Sequence, residues 1–180
     1  MNKVLHSSES VEWATPQSFF DELNKELAFT LDPCATKENA KCAKFYTKAE
    51  DGLIQDWTGE RVFCNPPYGD PEYPCKKVCQ KKICAKRGRH NSSYLPGVRD
   101  WVEKLRRGGA SVAVGLLPAR TDTRWFHEHI LGIAEVRFIK GRLKFGGAKN
   151  SAPFPSMVVV WRNGSYPPPV TSERSAEMLE

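Results

Sequence analysis

The tetrapeptide Asn65-Pro66-Pro67-Tyr68 carries the residue types best suited to holding a planar amino group. It follows the apolar run Val62-Phe63-Cys64, which reads as a buried strand. The turn should therefore sit just past a strand's carboxyl end, where open α/β sheets place their chemistry. Two consecutive prolines remove two N–H donors and stiffen the chain. What remains is a set of acceptors, chiefly the Pro66 carbonyl and the Asn65 amide oxygen. Tyr68 adds a flat π-face, suited to stacking on a base swung out of a duplex. Taken alone, the four residues would also fit a proline-kinked loop without function.

A second constellation lies just downstream. Cys75, Cys79, Cys84 and His90 follow the spacing C-x3-C-x4-C-x5-H. Three thiolates and an imidazole are a common tetrahedral zinc set. The segment around them is too polar to build its own apolar core, so a metal would supply the missing folding energy. The bland alternative is a basic loop with incidental cysteines. The same stretch holds Lys76, Lys77, Lys81, Lys82, Lys86, Arg87 and Arg89 and no acid, so these seven cations exceed the whole net charge of +6. A concentrated positive segment on a near-neutral remainder suits a phosphate-bearing partner such as double-stranded DNA, although such a run is also common on a merely solvated face. In the second case Arg120, Arg124 and Lys144 are the other candidates for holding DNA.

These groups need a scaffold, and 180 residues with 40% hydrophobic content can bury one ordinary α/β core plus a small insertion. The expected division is one domain over residues 1–162, an inserted segment over 70–97, and a disordered Pro-rich tail over 163–180. No apolar run approaches a membrane span, and residues 1–10 lack a basic-then-apolar signal pattern, so a soluble cytoplasmic protein is expected. A reducing compartment also argues against pairing the six cysteines as disulfides.

Along the chain, Thr15-Pro16 offers a capping hydroxyl and a proline for a helix start, with Phe19, Phe20, Leu23 and Leu27 on one face. Phe29 and Leu31 lead into a short strand that stops at Asp32-Pro33-Cys34-Ala35, and Asp51-Gly52-Leu53 reads as a turn. Val98, Trp101, Val102 and Leu105 mark a helix ended by Gly108-Gly109, and residues 110–117 form a continuous apolar strand. Thr121-Asp122-Thr123 can cap a helix carrying Trp125, Phe126 and Ile130. Strands are expected over 136–139, 143–145 and 157–161. Alternation of helix and strand followed by paired strands predicts a mostly parallel α/β sheet with an antiparallel C-terminal edge.

With these pieces placed, the chain resembles the bacteriophage DNA N6-adenine methyltransferases, the Dam-like phage family. The likeness runs from about residue 12 to 161 and rests on EWATPQSFFDEL, FTLDPCAT, EDGLIQDW, VFCNPPYGD, LPARTDTRWFHEHI, RFIKGRLKFGG and SAPFPSMVVVW together. The resemblance implies a Rossmann-like S-adenosylmethionine-dependent methyltransferase fold with a small Cys/His-rich basic insertion. In that comparison Asp32, Pro33, Cys34 and Ala35 occupy the cofactor loop, Asp32 accepting from the ammonium of S-adenosylmethionine. Trp13, Thr15 and Pro16 resemble the element that closes over the methionine end, and Asp51 and Leu53 the loop that holds the cofactor's adenine. The chain reads Asp-Pro-Cys-Ala-Thr where this fold usually has Gly-x-Gly, and a short polar stretch follows, so a normal first helix is not expected there.

The implied activity is methyl transfer to the N6 of a flipped adenine in DNA, in a bacterial host cell, by a protein expected to be monomeric. Cytosine N4, RNA and glutamine side-chain amides present similar amino groups and remain rival substrates. A zinc-stabilised DNA-binding module without catalysis is the rival from another class, and it has no use for the Asp-Pro and NPPY loops together.

Overall fold

The computed structural model describes residues 13–76, 79–88, 90–146 and 150–163, with Ile83, Lys86 and Arg87 described by backbone alone. Helix α1 spans Gln17–Leu27 and buries Phe20 and Leu27. Phe19 and Leu23 flank them against the same cluster, as i, i+3, i+4 spacing requires. The helix stops where Ala28 takes a left-handed conformation, its N–H donating to the Asn24 carbonyl, while the Asn24 side chain accepts from Phe29 N. Its start differs from expectation. Pro16 is the N-cap and no side chain caps the helix, because the Thr15 hydroxyl is engaged elsewhere.

Six strands form one sheet in the order β2-β1-β3-β4-β6-β5. Strand β1 is Leu31–Asp32, β2 Lys44–Phe45, β3 Arg61–Cys64, β4 Val112–Pro118, β5 Glu135–Phe138 and β6 Ser156–Arg162. The first four are mutually parallel; β6 runs antiparallel to β4, and β5 antiparallel to β6. The predicted mixed sheet is thus present. No helix is described between β1 and β2. That crossover is tied by local bonds, Ala40 N to Thr36 O at 3.0 Å and Thr36 N to Asn39 Oδ1 at 2.7 Å.

Period-2 alternation sends Val62 and Cys64 to one face of the sheet and Phe63 to the other. On the first face α3 (Val98–Arg107) and α4 (Arg124–His129) pack Trp101, Val102, Leu105, Trp125 and Phe126 against Leu117, Met157 and Val159. On the second, α1 packs Phe20 and Leu27 against Phe63, Val114, Leu116, Val158 and Val160. Every residue of β4 is buried, as its unbroken apolar run requires. Thr123 is the N-cap of α4, but its hydroxyl donates to the Arg120 carbonyl rather than to the helix amides.

Residues 143–145 do not form the expected strand. Gly141, at φ 80°, turns the chain away from β5. The segment then crosses toward residue 14, Gly146 N donating to the Ala14 carbonyl at 2.7 Å, while Leu143 O accepts from Ala152 N. The inserted residues leave the sheet through a narrow neck. Val98 N donates to Gly69 O, and a Cβ on Gly97 would lie 2.3 Å from Pro71 N, so only glycine fits that approach. Beyond it, Glu72 and Leu95 form an antiparallel bridge, and helix α2 (Lys82–Arg87) breaks the polar stretch. Of the expected tail, Asn163 donates its N–H to Ser111 O, and residues 164–180 lie outside the described residues. No described helix is long and apolar enough to cross a membrane.

Candidate active site

The carboxyl ends of β1, β3 and β4 lie on one edge of the sheet, and the singled-out residues gather there. Asn65 directly follows β3. Its amide nitrogen donates to the Trp13 carbonyl and, at 3.0 Å, to Thr15 Oγ1. Both amide hydrogens are therefore taken by the segment before α1, which fixes the amide oxygen in direction. That oxygen accepts from the Tyr68 hydroxyl at 2.6 Å. The same hydroxyl lies 3.1 Å from Leu116 O. One proton serves two acceptors, so donation to Leu116 leaves Asn65 Oδ1 free for an incoming N–H.

Tyr68 differs from expectation. Its ring is 7% exposed and packs edge-on against Phe154 and Phe145, at centroid distances of 5.4 and 6.4 Å. It is part of the apolar wall, not an open π-face, and burial raises its hydroxyl well above the ordinary tyrosine range. Trp13 leans on the same two rings, 5.2 Å from Phe145 and 5.5 Å from Phe154. Pro66 is buried beside the turn and Pro67 is exposed. Nothing in the residue types of Phe145 and Phe154 marks them for this site; the fold brings them to it by carrying residues 143–154 across the sheet edge.

Asp32, the last residue of β1, is 3% exposed. Among the described residues its oxygens accept from backbone amides alone, Lys41 N at 3.1 Å and Cys34 N at 3.4 Å. Among the described residues it makes no salt bridge, and burial pushes its pKa up to about 6 despite those bonds. A buried carboxylate with no cation of its own is suited to accept one from a ligand. The thiol of Cys34 sits beside that of Cys64, which burial raises well above the usual range, so the Asp32 loop and the end of β3 are in contact.

The third loop closes on the first. A Cβ on Gly52 would come within 2.0 Å of Pro33 O, so the Asp51–Leu53 turn lies flat against Pro33. Asp51 is exposed at φ 51°, its carboxylate accepting from Leu53 N. Trp57, fully buried, anchors the turn by donating Nε1 to Gly52 O. An open groove of about 480 Å³ runs from Asp51 and Leu53 past Ile54, Tyr94 and Pro96 to α3. Pro16, at the start of α1, is the one proposed cofactor residue for which only a helix-capping contact is seen.

In the insertion, the ligand atoms of Cys75, Cys79, Cys84 and His90 all lie within 4.8 Å of one another. Tetrahedral zinc with bonds of about 2.3 Å needs thiolates roughly 3.8 Å apart, and Cys75 Sγ and Cys84 Sγ are at 3.4 Å. The contact between the two thiols draws Cys75 down to about 7 and pushes Cys84 up to about 11. The cluster is tied to the neck through Cys75 N to Asn91 O and Asn91 Nδ2 to the Glu72 carboxylate. Of the expected DNA-binding cations, Lys76, Lys81 and Lys82 are exposed. Lys86 and Arg87 lie on α2 with side chains not described, and Lys77 and Arg89 fall outside the described residues.

Comparison with known proteins bears on this arrangement. The model of the family described as DNA N-6-adenine-methyltransferase (Dam) matches residues 3–179. The DNA N-6-adenine-methyltransferase of Escherichia phage T1 is 28% identical over 134 residues, which cover 73% of this chain and 45% of that protein. The protein of the same name from Haemophilus phage HP1 (strain HP1c1) is 38% identical over 61 residues, 33% of this chain and 35% of that protein. The chain thus spans less than half the length of either relative. No solved structure gives a significant match.

Proposed function

We propose, from the premise that the chain belongs to the DNA N-6-adenine-methyltransferase (Dam) family, that it methylates the N6 of an adenine swung out of double-stranded DNA in a bacterial host cell. The observation that carries this reading is Asn65. Its amide is held by Trp13 and Thr15 so that its oxygen can only accept.

The exocyclic nitrogen of adenine is a poor nucleophile because its lone pair is delocalised into the ring. Asn65 Oδ1 and the Pro66 carbonyl accept its two hydrogens and draw it toward tetrahedral geometry. Positive charge grows on that nitrogen as the new N–C bond forms, so acceptors fixed in advance stabilise the transition state more than the ground state. Tyr68 turns its proton to Leu116 O as the substrate N–H arrives. The surplus amino proton then leaves to solvent.

S-adenosylmethionine would supply the electrophilic methyl, whose bond to sulfur breaks as the N–C bond forms and leaves a neutral thioether. The residues present fit it: Asp32 offers its unpaired buried carboxylate to the ligand's ammonium, and the Gly52–Pro33 contact joins the loops assigned to its two ends. Pro33, Cys34 and Ala35 shape the first loop, Asp51 and Leu53 the second, and Trp13, Thr15 and Pro16 close the methionine end. Cys75, Cys79, Cys84 and His90 hold one structural zinc, which orders the cations of residues 76–89 for contact with phosphates.

Sequencing plasmid DNA from a methylation-deficient host that expresses the chain, read for modified bases, tests the proposal. N6-methyladenine at a defined site is expected. Modification of cytosine instead would reassign the substrate. Absence of any modified base, with no binding of S-adenosylmethionine in calorimetry, would leave only a DNA-binding module.

A further inference from the structure

We infer that the loop between β5 and β6 is a second DNA-binding surface, a row of phosphate contacts that faces the duplex from the opposite side of the sheet to the Cys/His insertion. The inference rests on the proposed action on DNA. Residues 139–155 contain four Lys or Arg and no Asp or Glu. Within the described part, Leu143 and Phe145 turn inward and Phe145 is 2% exposed, whereas Lys140, Arg142 and Lys144 are exposed. Arg120, in the loop after β4, is exposed on the same edge of the sheet.

None of these four cations makes a salt bridge among the described residues. Four arginines elsewhere are neutralised in place, Arg107 by Glu103, Arg124 by Glu128, and Arg137 and Arg162 by Glu26 and Glu135, while Arg61 and Arg106 are held by the backbone carbonyls of Leu27 and Glu128. A stretch of surface that keeps its positive charge unpaired, beside others that do not, is built for an outside anion.

Its position says which anion. The loop is bonded to residue 14 through Gly146 N, and Phe145 packs against Tyr68 and Trp13, so the cations stand next to the turn that would hold the target amino group. The insertion feeds through its neck into α3 on one face of the sheet, while Phe145 belongs to the α1 face. A ligand that reaches the turn and touches both basic segments must be a long polyanion carrying an amino-bearing base, and duplex DNA is that ligand.

The test is the salt dependence of binding to a labelled DNA duplex, measured by fluorescence anisotropy. Each phosphate contact contributes roughly 0.9 to the slope of log K against log salt. The variant K140Q/R142Q/K144Q is expected to flatten the slope by about 2–3 with S-adenosylmethionine affinity and zinc content unchanged. A charge-matched control, K25A/K44A/R107A, removes three cations at the amino-terminal ends of the strands and is expected to change the slope little. Because Arg142 also reaches Ala152 O at 3.5 Å, K140Q/K144Q gives the same comparison without that contact. An unchanged slope in the loop variants, or an equal fall in the control, would overturn the inference while leaving the enzyme reading intact. Failure of the wild-type chain to bind duplex DNA at all would instead remove the reading on which it rests.

Discussion

Both hydrogens of the Asn65 amide are spent on the protein itself, which is why its oxygen is so well aimed. Asn65→Ala removes that acceptor and should lower methyl transfer by about 10²-fold or more even at saturating cofactor, as loss of a preorganised hydrogen-bonding group does elsewhere. Single-turnover rates at saturating cofactor measure this, and near wild-type turnover would exclude the role. Tyr68 now reads differently from its sequence. Because the ring is buried between phenylalanines, Tyr68→Ala should cost about 3–5 kcal/mol of stability by urea denaturation, the penalty of an emptied aromatic site. Asp32 yields a pH prediction. Its pKa is raised to about 6, so the folded state binds its proton more tightly than the unfolded chain. Sensitivity to urea should therefore fall as pH drops from about 6 toward about 4, between the folded and unfolded values, a trend worth up to roughly 3 kcal/mol that Asp32→Asn abolishes. Cofactor affinity should move the opposite way, weakening below about pH 6 as the carboxylate is neutralised. A calorimetric affinity equal at pH 5.5 and pH 8 would move the ammonium partner elsewhere. Residue types named Asn65 and Asp32 as candidates. They did not disclose what surrounds them, because the Tyr68 contacts come from β4 and from a loop some eighty positions away.

Elements were legible where their periodicity was long. The Val98–Leu105 spacing marked α3, and the apolar run at 110–117 marked the strand that the fold places at Val112–Pro118, covered on both faces. Strand β2 left no signal: two residues at the sheet's edge, one exposed, need no apolar pattern. Residues 143–145 misled for the opposite reason, since Leu143 and Phe145 alternate inward like a strand while their backbone bonds go to loops. The tightest joint between elements is Gly52 on Pro33. Gly52→Ala should force those turns apart, costing about 1–3 kcal/mol as overpacking does and weakening S-adenosylmethionine binding although the new methyl touches no ligand. A variant as stable and as tightly bound as wild type would show that the two loops act independently.

At the scale of the whole molecule, the buried core clusters of the sheet include no described residue of the insertion. The core of the sheet is complete without residues 70–97, and the insertion has Cys84 as its only buried apolar residue between Cys75 and His90 among those described. Elemental analysis should find about one zinc per chain. Chelation should then abolish the ordering of the insertion and weaken DNA binding, while S-adenosylmethionine affinity and the main thermal transition persist. Loss of cofactor binding on metal removal would tie the metal to the sheet instead.

The position of β6 bears on how the chain is made. Of the described strands it is the last to be synthesised, yet it lies between β4 and β5 and pairs along the full length of β4. Until residues 156–162 clear the ribosome, β4 presents an unbroken apolar strand with one bare edge, the kind of template on which nascent chains stick to one another. The strand that covers that edge also anchors the far end of the segment carrying Phe145 and Phe154 to the Asn65–Tyr68 turn, so a polypeptide stopped before residue 156 keeps the bare edge and loses that anchor.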